Sequence, residues 1–153
     1  MARCAGAGSG EPADGVRALV QRVSRAAVAV GGEEVASIGP GLLVLLGVGH
    51  GDGKPEADRV AAKVLALRIF PDSEGRMSEP LGERELLCVS QFTLYGDTRR
   101  GNRPSYAAAE SSGRAEPLYE RFCARTGARR GVFGAAMAVE LVNDGPVTLL
   151  LES

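Results

Sequence analysis

The sequence predicts an α+β fold in a single domain. About seven strands form mixed or antiparallel β-sheets, barrel- or sandwich-like, with two covering helices. Three observations lead there. Strand-like apolar runs cluster at both ends of the chain. Two stretches between them carry apolar residues at helical spacing. The 153 residues contain no repeat, heptad or linker that would divide one core into two.

The elements follow in chain order. Residues 1–15, MARCAGAGSGEPADG, are small, Gly-rich and polar, and read as a disordered tail or leader. The domain then covers 16–153. VRALVQRVSRAAVAV predicts two strands, roughly 16–23 and 26–31, with Val28 and Val30 on one face of the second. Gly31-Gly32 signals a hairpin into the short strand EEVASIG. GLLVLLGVG (41–49) is apolar throughout, as a strand covered on both faces must be. After the loop GHGDGK, Pro55 suits a helix N-terminus. Ala57, Val60, Ala61, Val64 and Leu65 continue that helix to about residue 68. Residues 70–84 are polar and turn-rich. ELLCVSQFTLYGD (85–97) reads as a buried strand running out into polar residues, and TRRGNRPSYAAAESSG as a loop. A second helix covers about 114–126, with Pro117 in its first turn, Leu118 and Phe122 on one face and Gly127 as its stop. VFGAAMAVELV and VTLLLES supply the last two strands, joined at Asn143-Asp144-Gly145-Pro146.

Composition excludes several functions. Hydrophobic residues make up 44% and charged residues 24%, with a net charge of −1, so nucleic-acid contact would need a local basic patch. The single His50 rules out a multi-His metal site, and no metal or cofactor is expected. Cys4, Cys88 and Cys123 are odd in number and widely spaced, which points to a reducing compartment without disulfides. No apolar run approaches the roughly 18 residues of a membrane span, and the N-terminus lacks a secretory apolar segment.

Several stretches carry chemistry in principle. GVGHGDGK precedes a helix, but Pro55 follows Lys54 where a phosphate loop needs Ser or Thr, and the dinucleotide-binding spacing also fails; a surface connection is the better reading. Ser90, Gln91 and Thr93 interrupt an apolar strand. Their hydroxyl and amide groups either pair within the sheet or serve a site. A Ser-His-Asp triad has little support, because nothing ties His50 to them. Arg99, Arg100 and Arg103 crowd one loop after that strand, and Arg121, Arg125, Arg129 and Arg130 form a second basic group. Both fit phosphate-backbone contact or a solvated surface. Scarce aromatics argue against base-stacking platforms. Phe133 and Met137, four apart around small residues, pack in a core or line a pocket. Asn143-Asp144-Gly145-Pro146 is either a hairpin turn or, with a cis Gly-Pro bond, a rigid pair of carbonyl acceptors.

SQFTLYGD, RRGNRP, FGAAM and NDGPVT together resemble the D-aminoacyl-tRNA deacylase (D-tyrosyl-tRNA(Tyr) deacylase) family. The SQxxL positions Ser90, Gln91 and Leu94 and the NxGPxT positions Asn143, Gly145, Pro146 and Thr148 are the specific part; the likeness covers about 16–153. The resemblance implies the family's fold and a cytoplasmic homodimer with its active sites at the interface. It implies hydrolysis of the ester of D-aminoacyl-tRNA, and of glycine mischarged onto tRNA, as chiral proofreading. It assigns Ser90, Gln91, Phe92 and Thr93 to the strand beside the scissile ester, with Thr93 as candidate catalyst. Phe133 and Met137 would line the adenosine pocket. Gly145-Pro146 would reach into the partner's site and exclude L-amino acids. Backbone N–H groups near Phe92 and Thr93, with the substrate's own 2′-hydroxyl, fit the chemistry better than a side-chain base. Arg99, Arg100 and Arg103 become candidate tRNA contacts. Ala136 stands where relatives often carry Asp, and the segments around 75–84 and 124–132 are short for the family. The alternatives are a non-catalytic tRNA 3′-end-binding protein and a relative clearing L-alanine from mischarged tRNA. Neither DNA nor a membrane is an expected partner.

Overall fold

A computed structural model describes residues 15–153. The predicted tail thus lies outside the described residues except for Gly15. The central element is β1 (Arg17–Val30), one strand of 14 residues where the sequence suggested two. Its buried positions change phase, from Ala18 and Val20 to Val23, Ala26 and Val28, which imitates a boundary in the pattern. The phase changes because the pairing with the last strand shifts register on either side of Val23. No Gly or Pro breaks the strand.

Gly31 and Gly32 turn the chain into β2 (Glu33–Ile38), antiparallel to the end of β1. β3 (Gly41–Gly47) runs antiparallel to the start of β1. Helix α1 (Lys54–Ala66) begins with Pro55 in its first turn. Glu56 caps it by accepting from the Gly53 N–H at 2.8 Å. Ala57, Val60, Ala61 and Val64 are buried as the spacing requires, whereas Leu65 is exposed. A two-strand ribbon, β4 (Phe70–Pro71) and β5 (Met77–Glu79), occupies the segment read as turns. The Asp72 carboxylate orders it by accepting from the N–H groups of Glu74 and Arg76 and from the Ser78 hydroxyl.

β6 (Glu85–Ser90) lies parallel to β3. It ends earlier than the predicted 85–97, because Phe92–Tyr95 fold into a 3-10 turn. Helix α2 spans Ser112–Thr126, so Pro117 sits inside it and not in the first turn. Gly127 ends it in the left-handed conformation, at φ 68°. β7 (Arg129–Arg130) pairs with β6, and β8 (Ala138–Glu152) pairs with β1 along its length. Residues 132–137 form a turn and not the start of a strand, with the Ala135 N–H donating to Val132 O at 3.2 Å.

The six-stranded sheet runs β2-β1-β3-β6-β7 with β8 on the far side of β1. β2 also packs against β6 and β7, so the sheet curls toward a barrel. β3 is covered on both faces. Leu42, Val44 and Leu46 meet Val60, Val64 and Phe122 of the helices, while Leu43 joins Val23, Val28 and Leu87 on the concave side. Asp58 joins the helices by accepting two bonds from Arg121, at 2.7 and 2.8 Å, and an ion pair from Arg125 at 2.7 Å. Among the described residues no helix is long and apolar enough to cross a membrane.

The largest departure concerns Asn143-Asp144-Gly145-Pro146. It is not a hairpin turn. The flanking segments do not pair with each other, and both pair with β1. Gln21 faces Thr148 and Val23 faces Asn143, so two steps on β1 match five on β8 and β8 carries three extra residues. Residues 144–147 therefore bulge out opposite Arg22 alone.

Candidate active site

A cavity of about 560 Å³ opens where the carboxyl end of β6, the start of α2 and the turn before β8 converge. The end of β6 brings Ser90, the 3-10 turn that follows brings Gln91 and Phe92, and the turn before β8 brings Phe133, Ala135 and Met137. Five residues singled out in two distant motifs thus share one wall, although Phe133 and Met137 reach it from a turn and not from a strand face. Tyr119 supports this end. Its hydroxyl donates to Cys88 O at 3.0 Å, and its ring meets Phe133 with centroids 5.6 Å apart. Burial pushes the Tyr119 hydroxyl far up from its ordinary pKa, so it remains a donor.

The 3-10 turn beside the cavity is tightly held. The Gln91 N–H donates to Leu46 O at 2.7 Å, which extends the β3–β6 ladder by one bond. Tyr95 is buried, and its hydroxyl donates to Gly47 O at 3.1 Å and to Gly15 O. Arg17 donates to Leu94 O at 2.8 Å and lies 4.8 Å from the Tyr95 ring centre. A Cβ on Gly47 would stand 2.8 Å from Tyr95 Cε2 and 3.0 Å from Gln91 O, so β3 requires glycine where the turn crosses it. The first N–H groups of a helical turn have no acceptor within it, and here those groups belong to Phe92 and Thr93. Thr93 is exposed and does not line the cavity, and its hydroxyl accepts from the Gln91 side-chain amide.

Glu110 was missed in the sequence. It is the one buried charged residue among those described, and it lines the cavity. Its carboxylate accepts from the N–H of Gly51 at 3.0 Å and of Ser111 at 2.9 Å, with His50 Nδ1 3.6 Å away. These backbone donors hold its pKa below the ordinary carboxylate value, the Gly51 bond first. The only available signal was a lone acid inside AAAESSG, with nothing periodic around it. His50 is thereby placed beside the cavity wall through Glu110, but it is exposed and distant in the chain from Ser90.

Gly145 and Pro146 do not line this cavity. They are exposed on the β8 bulge, joined by a cis peptide bond. Gly145 has φ 122°, a conformation that favours glycine. Arg22 pins the bulge from below by donating to Asp144 O at 3.1 Å and Ile69 O at 2.6 Å. The Asn143 side-chain amide spans its neck and donates to Arg22 O at 2.9 Å and Val147 O at 3.0 Å. Arg99, Arg100 and Arg103 lie on the exposed 97–105 loop, where Arg99 pairs with Asp97 at 2.8 Å, while Arg121, Arg125 and Arg129 are engaged with Asp58 and Glu85.

This arrangement has solved counterparts. A family model described as D-Tyr-tRNA(Tyr) deacylase matches residues 19–152. The D-aminoacyl-tRNA deacylase of Symbiobacterium thermophilum is 54% identical over 145 residues, covering 90% of this chain and 96% of its own. That of Myxococcus xanthus is 53% identical, covering 90% and 95%. A solved structure titled c-Myc DNA Unwinding Element Binding Protein superposes with a TM-score of 0.84 at 41% identity, over 90% of this chain and 98% of that one. A probable eukaryotic D-amino acid tRNA deacylase shares the fold, at a TM-score of 0.77 and 16% identity, over 90% and 99%. With a match of this extent and the SQxxL and NxGPxT residues in place, the chain belongs to the D-Tyr-tRNA(Tyr) deacylase family.

Proposed function

We propose that the protein hydrolyses the ester linking a D-amino acid to the 3′-terminal adenosine of tRNA, and that it clears glycine from mischarged tRNA in the same way. The observation that carries this reading is the convergence of Ser90, Gln91 and Phe92 with Phe133 and Met137 on one cavity in a chain of this family. The adenosine would lie against Phe133 and Met137. The scissile carbonyl would sit over the 3-10 turn, where the Phe92 and Thr93 N–H groups serve as oxyanion donors. One such donor is typically worth about 3–4 kcal/mol of barrier. The Thr93 hydroxyl, tied to Gln91, positions that amide in this scheme, and the substrate's 2′-hydroxyl assists the attack of water.

Selectivity against L-amino acids is assigned to Gly145-Pro146 of a second copy. A rigid backbone rejects one stereoisomer by collision, whatever the side chain. Because neither residue lines its own chain's cavity, this role requires a homodimer with active sites at the interface. Arg99, Arg100 and Arg103 are proposed tRNA contacts, and the cytoplasm is the proposed location. The deciding experiment follows release of free amino acid from D-Tyr-tRNA and L-Tyr-tRNA. Selective release from the D-ester is expected; equal release from both, or none, overturns the proposal. Light scattering at micromolar concentration tests the dimer, which a monomeric mass would exclude.

A further inference from the structure

Of the seven aromatic side chains only Phe92 and Tyr106 are exposed, at 58% and 40%. They meet edge to face, with centroids 5.1 Å apart and planes at 73°, on the rim of the cavity. Tyr106 is fixed over the backbone below it, since a Cβ on Gly96 would be 3.2 Å from its Cε1. The next residue back, Ser105, closes a loop. The Asp97 N–H donates to Ser105 O at 2.7 Å, and the Ser105 N–H donates to Asp97 O at 2.9 Å. That loop carries three arginines in two different states. Arg99 is neutralised by Asp97 through bonds of 2.9 and 2.8 Å, which hold the Asp97 carboxyl at a pKa of about 2. Arg100 and Arg103 are exposed and make no hydrogen bond or ion pair among the described residues. Arg100 also borders a second hollow, of about 570 Å³, with Asp97, Arg99 and Ser105.

We infer that the Phe92–Tyr106 ledge, with Arg100 and Arg103, is a subsite for the unpaired nucleotides that precede the terminal adenosine. This rests on the proposed hydrolysis. A base stacks on the ledge, and the phosphodiesters on either side of it meet the Arg100 and Arg103 guanidinium groups. Phe92 and Tyr106 line the cavity, and Ser105, next to Tyr106 in the chain, borders the hollow that Arg100 also borders, an order that matches a single strand leaving a buried 3′ end. Aromatics are too scarce for the extended stacking platform that the sequence argued against, but this one exposed pair suffices for a single base, and stacking on an aromatic face is indifferent to base identity. Phosphate contact is likewise indifferent to sequence. The subsite therefore suits an enzyme that takes many tRNAs sharing one 3′ end. A duplex does not fit, because its bases are already stacked and cannot reach the ledge.

The test compares D-tyrosyl-adenosine with the D-tyrosylated trinucleotide CCA. In the wild-type protein the two added cytidines should raise kcat/KM by roughly ten- to a hundredfold. Tyr106→Leu should lower the ratio of the two kcat/KM values about tenfold. Arg100→Gln with Arg103→Gln should reduce the slope of log KM for the trinucleotide against log salt by about 1.4. The inference is overturned if the cytidines bring no gain or if Tyr106→Leu lowers both substrates by the same factor. It is equally overturned if the arginine variant keeps the wild-type salt slope, or if Tyr106→Leu alters the oligomeric mass, which would make the ledge a subunit contact. Should the wild-type protein cleave neither substrate, the hydrolytic reading fails separately. Fluorescence titration with uncharged CCA then decides the subsite alone: loss of binding in the variants supports it, and unchanged binding removes it.

Discussion

Asn143→Asp isolates what holds the β8 bulge in place. The substitution keeps the side-chain shape and removes both donors. In the native chain Nδ2 donates to Arg22 O at 2.9 Å and to Val147 O at 3.0 Å, one carbonyl on each side of the bulge neck. Both partners are acceptors, so only the NH2 end of the amide can face them. A carboxylate there would lose two bonds worth about 1 kcal/mol each and would face two carbonyl oxygens, for a total cost of roughly 2–4 kcal/mol. For a domain of this size each kcal/mol lowers Tm by about 2–4 °C, so the deficit should be about 4–16 °C by calorimetry at pH 7. The sign of its pH dependence also follows. The introduced carboxyl is favoured in its neutral, donating form, so its folded pKa is raised above the unfolded value near 4. The deficit is then smallest below about pH 4 and grows as pH rises through the folded pKa. A deficit under about 2 °C, or one that does not shrink on acidification, would refute the assignment of Asn143 as the clasp of the bulge.

Gly145→Ala places a Cβ 2.6 Å from Arg22 Nη2 and 3.0 Å from Val147 Cγ2 at φ 122°. It should cost about 1–3 kcal/mol of stability and, in addition, most D-ester hydrolysis; a destabilised variant with the wild-type rate would remove Gly145 from the reaction. Gly41→Ala brings a Cβ to 1.8 Å from Glu85 O at the start of the β3–β6 ladder. Far-UV circular dichroism should show failure to fold, and a wild-type melting curve would contradict that close approach. The carboxylates of Asp58, Asp97 and Glu110 all have folded pKa values below their ordinary ones, chiefly through the Arg121 side chain, the Arg99 side chain and the Gly51 N–H. Their stabilisation is complete above about pH 5 and is lost as pH falls through the folded values. Tm measured against pH should therefore decline below about pH 4, and a decline already at pH 6–7 would mean that another group governs it.

What could be read from the sequence divides along a physical line. Helix α1 was readable because its signals are local: Pro55 at its start and four buried residues at helical spacing, to which the structure adds Glu56 as the cap. β3 was readable because it is buried on both faces. FTLY was misread as strand because its residues favour strands, while its 3-10 turn is set by distant partners, Tyr95 with Gly47 and Arg17 with Leu94. The same holds at the site. Ser90, Gln91, Phe92, Phe133 and Met137 were found because two motifs carried them. Glu110 and Tyr106 lie in a loop of small residues, where nothing local marks a wall of the cavity.

The bulge shows most clearly why pattern alone misled. Asn, Asp, Gly and Pro between two apolar runs predict reversal of the chain, and they would be equally suited to it. Whether the chain reverses depends on the partner strand, and β1 is long enough to pair with both flanks of β8. That difference has a mechanical consequence. The tip of a hairpin is anchored only at its base and moves with its two strands. Here each flank is fixed to β1 by its own ladder, and Arg22 and Asn143 fix the neck from beneath. Gly145 and Pro146 therefore project from the sheet as firmly as the sheet itself is held. The proposed role, exclusion of one stereoisomer by backbone collision, needs such firmness, because a yielding contact would merely weaken binding of both.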